Sequence, residues 1–344
     1  MIYITLWEYK YKSNCHFFYS WHKMERNNSN VAEDIRLIHN ILATSISTTG
    51  FFANFITLIA IYRYRLYRDI YIIFIINLVI INCLSSGLAT YIAYQSFTVM
   101  STSQHNMKLC RFTGYLTYSF LGTEIMAIIQ ISFNRYFLIL HLDKYRKIYT
   151  SREKVVVMLA ASWLVYFILT MFPCTEIWGK LTYDSKRFIC HPFLAHDSFT
   201  KFYSWFSIII SGPSLMFCYV AIIWKVISAR RKVRRRVSTV ENVLLHVRQP
   251  PIKMPVTIIA ILTAFSILYV PFFIVEVLDP SGEMFDPKVH VLAVYVVWFH
   301  LICHPIIYAV LNKQIKEALM KMFRCDRNKS VSPRPQNTIM TIAG

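Results

Sequence analysis

Seven long apolar stretches dominate this sequence, and each is long enough to cross a lipid bilayer as a helix. Crossing about 30 Å of hydrocarbon takes roughly 20 predominantly apolar residues. The predicted spans are Leu37–Tyr62, Ile70–Tyr94, Phe112–Leu140, Val155–Phe172, Phe202–Ile227, Met254–Leu278 and Val289–Leu311. We therefore predict an all-α membrane protein, a seven-transmembrane helix bundle followed by a short amphipathic eighth helix over Lys313–Phe323.

The composition excludes several other classes of protein. Hydrophobic residues make up 56% of the 344 residues and charged residues 16%, whereas soluble domains carry roughly 25% charged residues. A chain this apolar is not intrinsically disordered. Its net charge of +19 would suit a nucleic-acid binder, but the apolar stretches would not, so we predict no nucleic-acid partner.

The basic residues predict the orientation of the bundle. Lys and Arg collect in loops on the cytoplasmic side of a membrane, and 25 of the 37 fall in one alternating set of loops. That set is Arg63–Asp69, Arg135–Lys154, Lys225–Lys253 and the tail from Asn312. We therefore predict a multi-pass plasma-membrane protein with an extracellular N-terminal segment (1–36), a bundle (37–311) and a cytoplasmic helix and tail (312–344).

Landmark residues within the spans resemble those of the rhodopsin-like (class A) G-protein-coupled receptors, over nearly the whole chain. Cys110 precedes Arg135 by 25 residues, a spacing found in that family. The other landmarks are Asn54, Asn134-Arg135-Tyr136, Trp163, Pro271 and Pro305-Ile306-Ile307-Tyr308. The resemblance implies a receptor, not an enzyme, that transduces an extracellular ligand to a heterotrimeric G protein.

A narrower resemblance lies in the residues that follow Arg135. They continue to Ile139, His141, Tyr145 and Ile148-Tyr149, and further matches are Tyr269-Val270-Pro271 and Asn312-Lys313-Gln314. This pattern is similar to the insect orphan receptors of the trapped-in-endoderm and moody group. That likeness implies a role in cell migration or in glial barrier control, and it does not identify a ligand.

The family resemblance also implies roles for individual residues. A disulfide would join Cys110 to Cys190. Coupling to the G protein would involve Arg135, Tyr136, Asn134, Tyr308, Arg231 and Arg235. A conformational switch would involve Ile125, Phe265, Tyr269, Pro271 and Pro305. Arrestin and anionic lipids are further possible partners, and the basic run after span five suits a G protein, anionic lipid or the control of topology.

The chain departs from the family pattern where charge matters. Asn134 replaces the acid that usually precedes Arg135, and a neutral amide cannot form that ion pair. Asn82 stands where most members have Asp, and Glu124 stands where a small hydroxyl residue is usual. The intramembrane carboxylate has thus moved from span two to span three.

These substitutions predict a core polar network of Asn54, Asn82, Glu124, His300 and His304. Glu124 either binds a cation, or it is protonated and hydrogen-bonded to Asn82 or the histidines. We favour the protonated form, because burial disfavours the charged form of a carboxyl group. The two histidines have the i, i+4 spacing of some metal sites, but the sequence supplies no evident third ligand. We therefore predict neither a metal site nor a cofactor.

Residues near one end of the bundle narrow the ligand class. Thr117 lies where amine receptors carry an Asp, so an amine ligand is not expected. Trp298 lies where opsins carry the Lys that binds retinal, so a retinal pigment is excluded. The predicted wall of the ligand pocket is Thr117, Tyr118, Leu121, Phe272, Phe273, Glu276, His290 and Trp298.

A membrane transporter or channel of seven helices is the alternative reading. It predicts paired broken helices or a polar pore, and the sequence indicates neither. An enzyme would need a nucleophile with its base, a metal-ligand cluster or a phosphate-binding loop, and the sequence suggests none of these.

Overall fold

Seven helices in the described part of the chain are long and apolar enough to cross a membrane. The structure is a computed structural model that describes residues 37–98, 107–184, 189–192, 198–239, 253–279 and 284–323. Spans one to seven are Leu37–Arg63, Ile70–Gln95, Met107–Leu140, Arg152–Cys174, Ser198–Ala229, Ile259–Leu278 and Pro287–Leu311. The helices that contain spans two, five and six are longer, at Ile70–Thr98, Ser198–Thr239 and Lys253–Leu278. The predicted seven-helix architecture is confirmed.

The distribution of side chains is that of a protein in lipid. Large apolar groups such as Phe52 and Trp224 point outwards and are 56% and 67% exposed, whereas the polar Asn54 and Ser207 are fully buried. Because the hydrocarbon core offers no water, every backbone group must pair within the protein. An apolar stretch in this setting therefore folds as a helix.

Short side chains satisfy the backbone at the helix ends. The Ser151 hydroxyl accepts from the Lys154 amide at the start of span four. Asp286 accepts from the Lys288 amide at the start of span seven. Such N-caps pair backbone N–H groups that have no partner within the helix.

Span three is the central helix, and it packs against spans two, four and five. Gly122 permits its close approach to span four. A Cβ atom at this position would lie 1.9 Å from the ring of Tyr166, which is fully buried. Only a residue without a side chain fits there.

Span seven is not one continuous helix. It consists of Pro287–Trp298 and His300–Leu311, which meet at Phe299. Pro305 has no N–H and so leaves the Leu301 carbonyl without its usual helical donor. Asn54 of span one donates its side-chain amide to that carbonyl over 2.9 Å.

The two ends of the bundle carry different connections. At the disulfide end, strands β1 (Leu181–Asp184) and β2 (Ile189–Pro192) form an antiparallel hairpin between spans four and five. The predicted disulfide is confirmed, since Cys190 of β2 is bonded to Cys110 of span three.

The opposite end, the Arg135 end, carries two short helices. A loop helix, Leu142–Ile148, follows span three, and a terminal helix, Lys313–Phe323, follows span seven. Asn312 caps the terminal helix by accepting from the amides of Gln314 and Ile315. The predicted eighth helix is confirmed.

Candidate functional site

The structure brings the five predicted core polar residues together at the centre of the bundle: Asn54, Asn82, Glu124, His300 and His304. None of them is more than 4% exposed. The Glu124 carboxylate lies 3.0 Å from Nε2 of His300 and 3.6 Å from Nδ1 of His304. Asn82 Nδ2 lies 3.1 Å from the same Nδ1 atom and 3.5 Å from Oδ1 of Asn54.

Hydrogen-bond directions in this cluster determine which atoms carry protons. The side-chain nitrogen of Asn54 donates to two backbone carbonyls, so its oxygen faces Asn82 and accepts from the Asn82 amide nitrogen. That nitrogen also faces Nδ1 of His304, which must then act as an acceptor. Nδ1 of His304 therefore carries no proton to donate to Glu124.

Two lone-pair atoms consequently face each other, Oε1 of Glu124 and Nδ1 of His304, at 3.6 Å. Nδ1 of His300 lies against the carbonyl of Val297, which can only accept, so this nitrogen carries the proton of the neutral ring. Nε2 of His300 is then an acceptor, and a proton on Oε2 of Glu124 would be donated to it over 3.0 Å. The geometry therefore leaves an acceptor at Nε2 of His300 for a protonated Glu124. A sodium ion would have to displace contacts that the two histidines already make.

An aromatic pair connects this cluster to span six. Tyr269 is fully buried, and its ring stacks on that of Phe265 with a centroid distance of 4.4 Å. Its hydroxyl lies 3.3 Å from Nδ1 of His300. The predicted switch residues Phe265 and Tyr269 thus contact each other, and they share one core cluster with the buried Ile125.

Two small cavities lie between the core cluster and the disulfide end. The larger, of about 70 Å³, runs along span three from Thr117 to Glu124. The smaller, of about 10 Å³, adjoins it and reaches Glu276 on span six. The predicted ligand residues that line one or both cavities are Thr117, Tyr118, Leu121, Phe272, Phe273, Glu276 and Trp298.

His290, the eighth predicted ligand residue, lines neither of these cavities. Its ring is 1% exposed, and Nε2 lies 2.9 Å from Oδ2 of Asp279 at the end of span six. The same oxygen accepts from the backbone amides of Met284 and Phe285. His290 thus joins spans six and seven instead of facing a ligand.

The guanidinium of Arg135 is 2% exposed and turned into the bundle. Its central carbon lies 3.2 Å from the centroid of the Tyr71 ring, at the start of span two. The neighbouring Asn134 is fully buried and lies beside the Tyr145 phenol of the loop helix. Burial raises the pKa of that phenol above its usual value, so Tyr145 is neutral at physiological pH.

The other predicted coupling residues lie at the same end. The Tyr136 hydroxyl is 3.2 Å from Nε2 of His141, and its ring packs on Phe217 of span five. Tyr308 of span seven is fully buried. Arg231 is exposed on the extension of span five, and Arg235 lies on the same helix beyond the side chains that the structure describes.

Comparison with known proteins identifies this arrangement. Residues 53–308 match the family model "7 transmembrane receptor (rhodopsin family)". The chain belongs to this family. Its members are receptors, not enzymes. Because they share one fold, each landmark residue of this receptor corresponds to a position within that fold.

The relatives agree with that assignment. "G-protein coupled receptor moody" of Drosophila melanogaster is 24% identical over 85% of this chain and 52% of its own length. "Protein trapped in endoderm-1" of the same species is 23% identical over 86% of this chain and 80% of its own. The receptor thus spans about half the length of the moody proteins it matches.

The fold agrees with that of a solved rhodopsin. The structure of squid rhodopsin superimposes with a TM-score of 0.70 over 88% of this chain and 89% of the other, at 19% identity. This match supports the arrangement of helices alone.

Two contacts of this receptor escaped the sequence reasoning. Asp279 follows directly after an apolar span. A carboxylate in that position could have been used to predict a contact with the loop that follows. Tyr71 carries no comparable signal, because a tyrosine near the start of an apolar span is common at membrane interfaces.

Proposed function

We propose that this chain is a plasma-membrane receptor that converts the binding of an extracellular ligand into activation of a heterotrimeric G protein. The observation that carries the proposal is the family match together with a buried arginine, Arg135, at one end of the bundle. A ligand that favours a second packing of the bundle would expose this arginine to a partner.

We place the Arg135 end in the cytoplasm and the N-terminus outside. The distribution of Lys and Arg supports this orientation, because 25 of the 37 fall in loops at the Arg135 end or in the tail. The Cys110–Cys190 bond lies at the opposite end, where an oxidising exterior would preserve it.

The ligand would bind above the core cluster, in the two cavities between Thr117 and Glu124 and beside Glu276. Their walls are mainly apolar and aromatic, which suits a ligand with a large apolar surface. Thr117 offers no charge to an ammonium group at the position that amine receptors use, and Trp298 offers no amine to retinal. We therefore propose a ligand that is neither a biogenic amine nor a retinal, and a receptor without a cofactor.

The finer role rests on the narrower resemblance to the moody and trapped-in-endoderm proteins. We propose that signalling serves cell migration or glial barrier control. Arrestin and anionic lipids are proposed as further partners at the Arg135 end, where Arg231 is exposed.

Nucleotide exchange with purified components tests the central proposal. The receptor in lipid nanodiscs is mixed with each of the main G-protein classes, and GTP analogue uptake is measured without ligand. We expect one class to be accelerated, because the neutral Asn134 removes one restraint on Arg135, the ion pair, and any remaining contact holds it less strongly.

Arg135→Ala should abolish the acceleration. Lys154→Ala is the matched control, since it removes an exposed charge at the same end of the bundle. No acceleration of any G protein by the parent receptor, or full acceleration by Arg135→Ala, would overturn the proposal. Passage of a solute or ion through receptor-containing vesicles would instead support the transporter or channel reading.

A further inference from the structure

The residue before Arg135 carries no charge, so another group must hold the arginine in its buried position. That residue is Asn134, and its amide side chain is fully buried beside Tyr145. An amide can accept a hydrogen bond but cannot neutralise a guanidinium. Burying a cation without compensation is costly, yet Arg135 is only 2% exposed.

Part of the compensation comes from an aromatic face on span two. The central carbon of the Arg135 guanidinium lies 3.2 Å from the centroid of the Tyr71 ring. Tyr71 is itself 4% exposed, so water does not screen this contact. A cation over an aromatic face is attracted by the ring quadrupole, and the attraction is strongest in desolvated sites.

The backbone fixes Tyr71 in this place. Asp69 immediately precedes the helix of span two, and its Oδ1 accepts from the Tyr71 amide over 2.9 Å. This N-cap sets the first turn of the helix. Tyr71 therefore meets Arg135 from a rigid element and not from a loop.

We infer that Tyr71 is a positioning residue that helps to hold Arg135 in the resting state, in place of the missing acid. The inference rests on the proposed function, because it assumes that exposure of Arg135 activates a G protein. While its guanidinium lies on the Tyr71 ring, Arg135 is buried and cannot reach a partner. Release of Arg135 from the ring is then one step of activation, and the strength of this contact sets ligand-free activity.

Ligand-free nucleotide exchange tests the inference in two side-chain series at matched surface levels. Tyr71→Leu removes the ring and should raise exchange by about five- to thirtyfold. Tyr71→Phe keeps the aromatic face and should stay within about twofold of the parent. Phe74→Leu is the matched control, because it removes a fully buried ring one turn further along the same helix and should leave exchange unchanged.

The second series separates electrostatics from shape. Phenylalanine analogues with progressively more ring fluorines at position 71 keep the ring outline but weaken the negative face, so exchange should rise with each fluorine. A purely structural role would give no such gradient. Exchange by Tyr71→Leu at or below the parent level, or a flat fluorine series, would overturn the inference.

Nucleotide exchange by the parent receptor and by Arg135→Ala distinguishes a failure of the proposed function from a failure of the role of Tyr71. If the parent receptor activates no G protein, or if Arg135→Ala is fully active, the proposed function fails. If the parent is active and Arg135→Ala is inactive while Tyr71→Leu equals the parent, only the role of Tyr71 fails.

Discussion

Replacing Glu124 by leucine should damage the centre of the bundle. Leucine has nearly the same volume but cannot accept or donate a hydrogen bond. Nε2 of His300 would lose its carboxylate partner at 3.0 Å in a site that is shielded from water. His304 would keep its contact with Asn82 at 3.1 Å, and the Tyr269 hydroxyl, which also interacts with Glu124, would keep its contact with His300. Nε2 of His300 is then the polar group left without its partner.

The magnitude follows from that count. A buried polar group that loses its hydrogen-bond partner costs about 1–3 kcal/mol. We expect Glu124→Leu to lower stability by that amount. Glu124→Gln should change it by less than about 1 kcal/mol, because the amide nitrogen of glutamine can donate to Nε2 of His300, as the hydroxyl of the protonated acid does.

Thermal inactivation of the purified receptor in detergent, at a fixed heating rate, measures these differences. A double variant, Glu124→Leu with His300→Leu, supplies the internal control, because removal of both partners can be nearly neutral. Repeating the measurement in sodium and in choline chloride tests the cation reading. Sodium at ten times its dissociation constant would stabilise the parent by about 1.4 kcal/mol, and we expect no difference between the salts.

Three results would refute the reasoning about Glu124. Parent-like stability of Glu124→Leu would show that the residue makes no necessary contact. A double variant no more stable than the single one would show that His300 is not the group left unpaired. Stabilisation of the parent by sodium, lost in Glu124→Gln, would show that Glu124 is ionised and binds the cation.

Two further changes test the packing around span three. Cys110→Ser removes a disulfide, which typically contributes about 2–4 kcal/mol to stability. Antibody staining of intact cells should therefore show less receptor at the surface. Cys174→Ser removes only a free thiol and should leave the surface level unchanged. Gly122→Ala forces a methyl group into the Tyr166 ring and should lower stability by about 1–3 kcal/mol. Gly212→Ala meets no atom within 4 Å, so equal thermal inactivation of the two alanine variants would contradict the packing argument.

Hydropathy alone predicted the spans, because the length and apolar character of each stretch leave one fold for its backbone in lipid. The ends were less predictable. Span three begins at Met107, five residues before the predicted Phe112, since a helix continues past the hydrocarbon wherever its own hydrogen bonds permit. The hairpin of β1 and β2 has too few residues to give an alternating pattern that the sequence could reveal.

The core cluster was predictable and the contact of Arg135 was not. Glu124 and Asn82 stand out because a carboxylate and an amide are rare inside a membrane, and the family resemblance implies that their two positions line one polar cavity. Tyr71 and Arg135 are far apart in the chain, and a ring beneath a cation leaves no pattern in the sequence. His290 was predicted as part of the pocket wall, whereas its contact with Asp279 joins residues of two spans and could not be read from the sequence.

The buried carboxylate of Asp279 has a mechanical consequence for span six. By accepting from two loop amides and facing His290, it ties the end of this helix to span seven. Pro271 precedes Asp279 by about 12 Å along the helix axis. Because it has no N–H, the Ile267 carbonyl lacks its helical donor and the helix can bend there. Pro271 thus divides the helix of span six into a short part that ends at the tethered Asp279 and a longer part that begins at Lys253. A small rotation at Pro271 therefore moves the far residues of span six, at the Arg135 end of the bundle, by a larger distance.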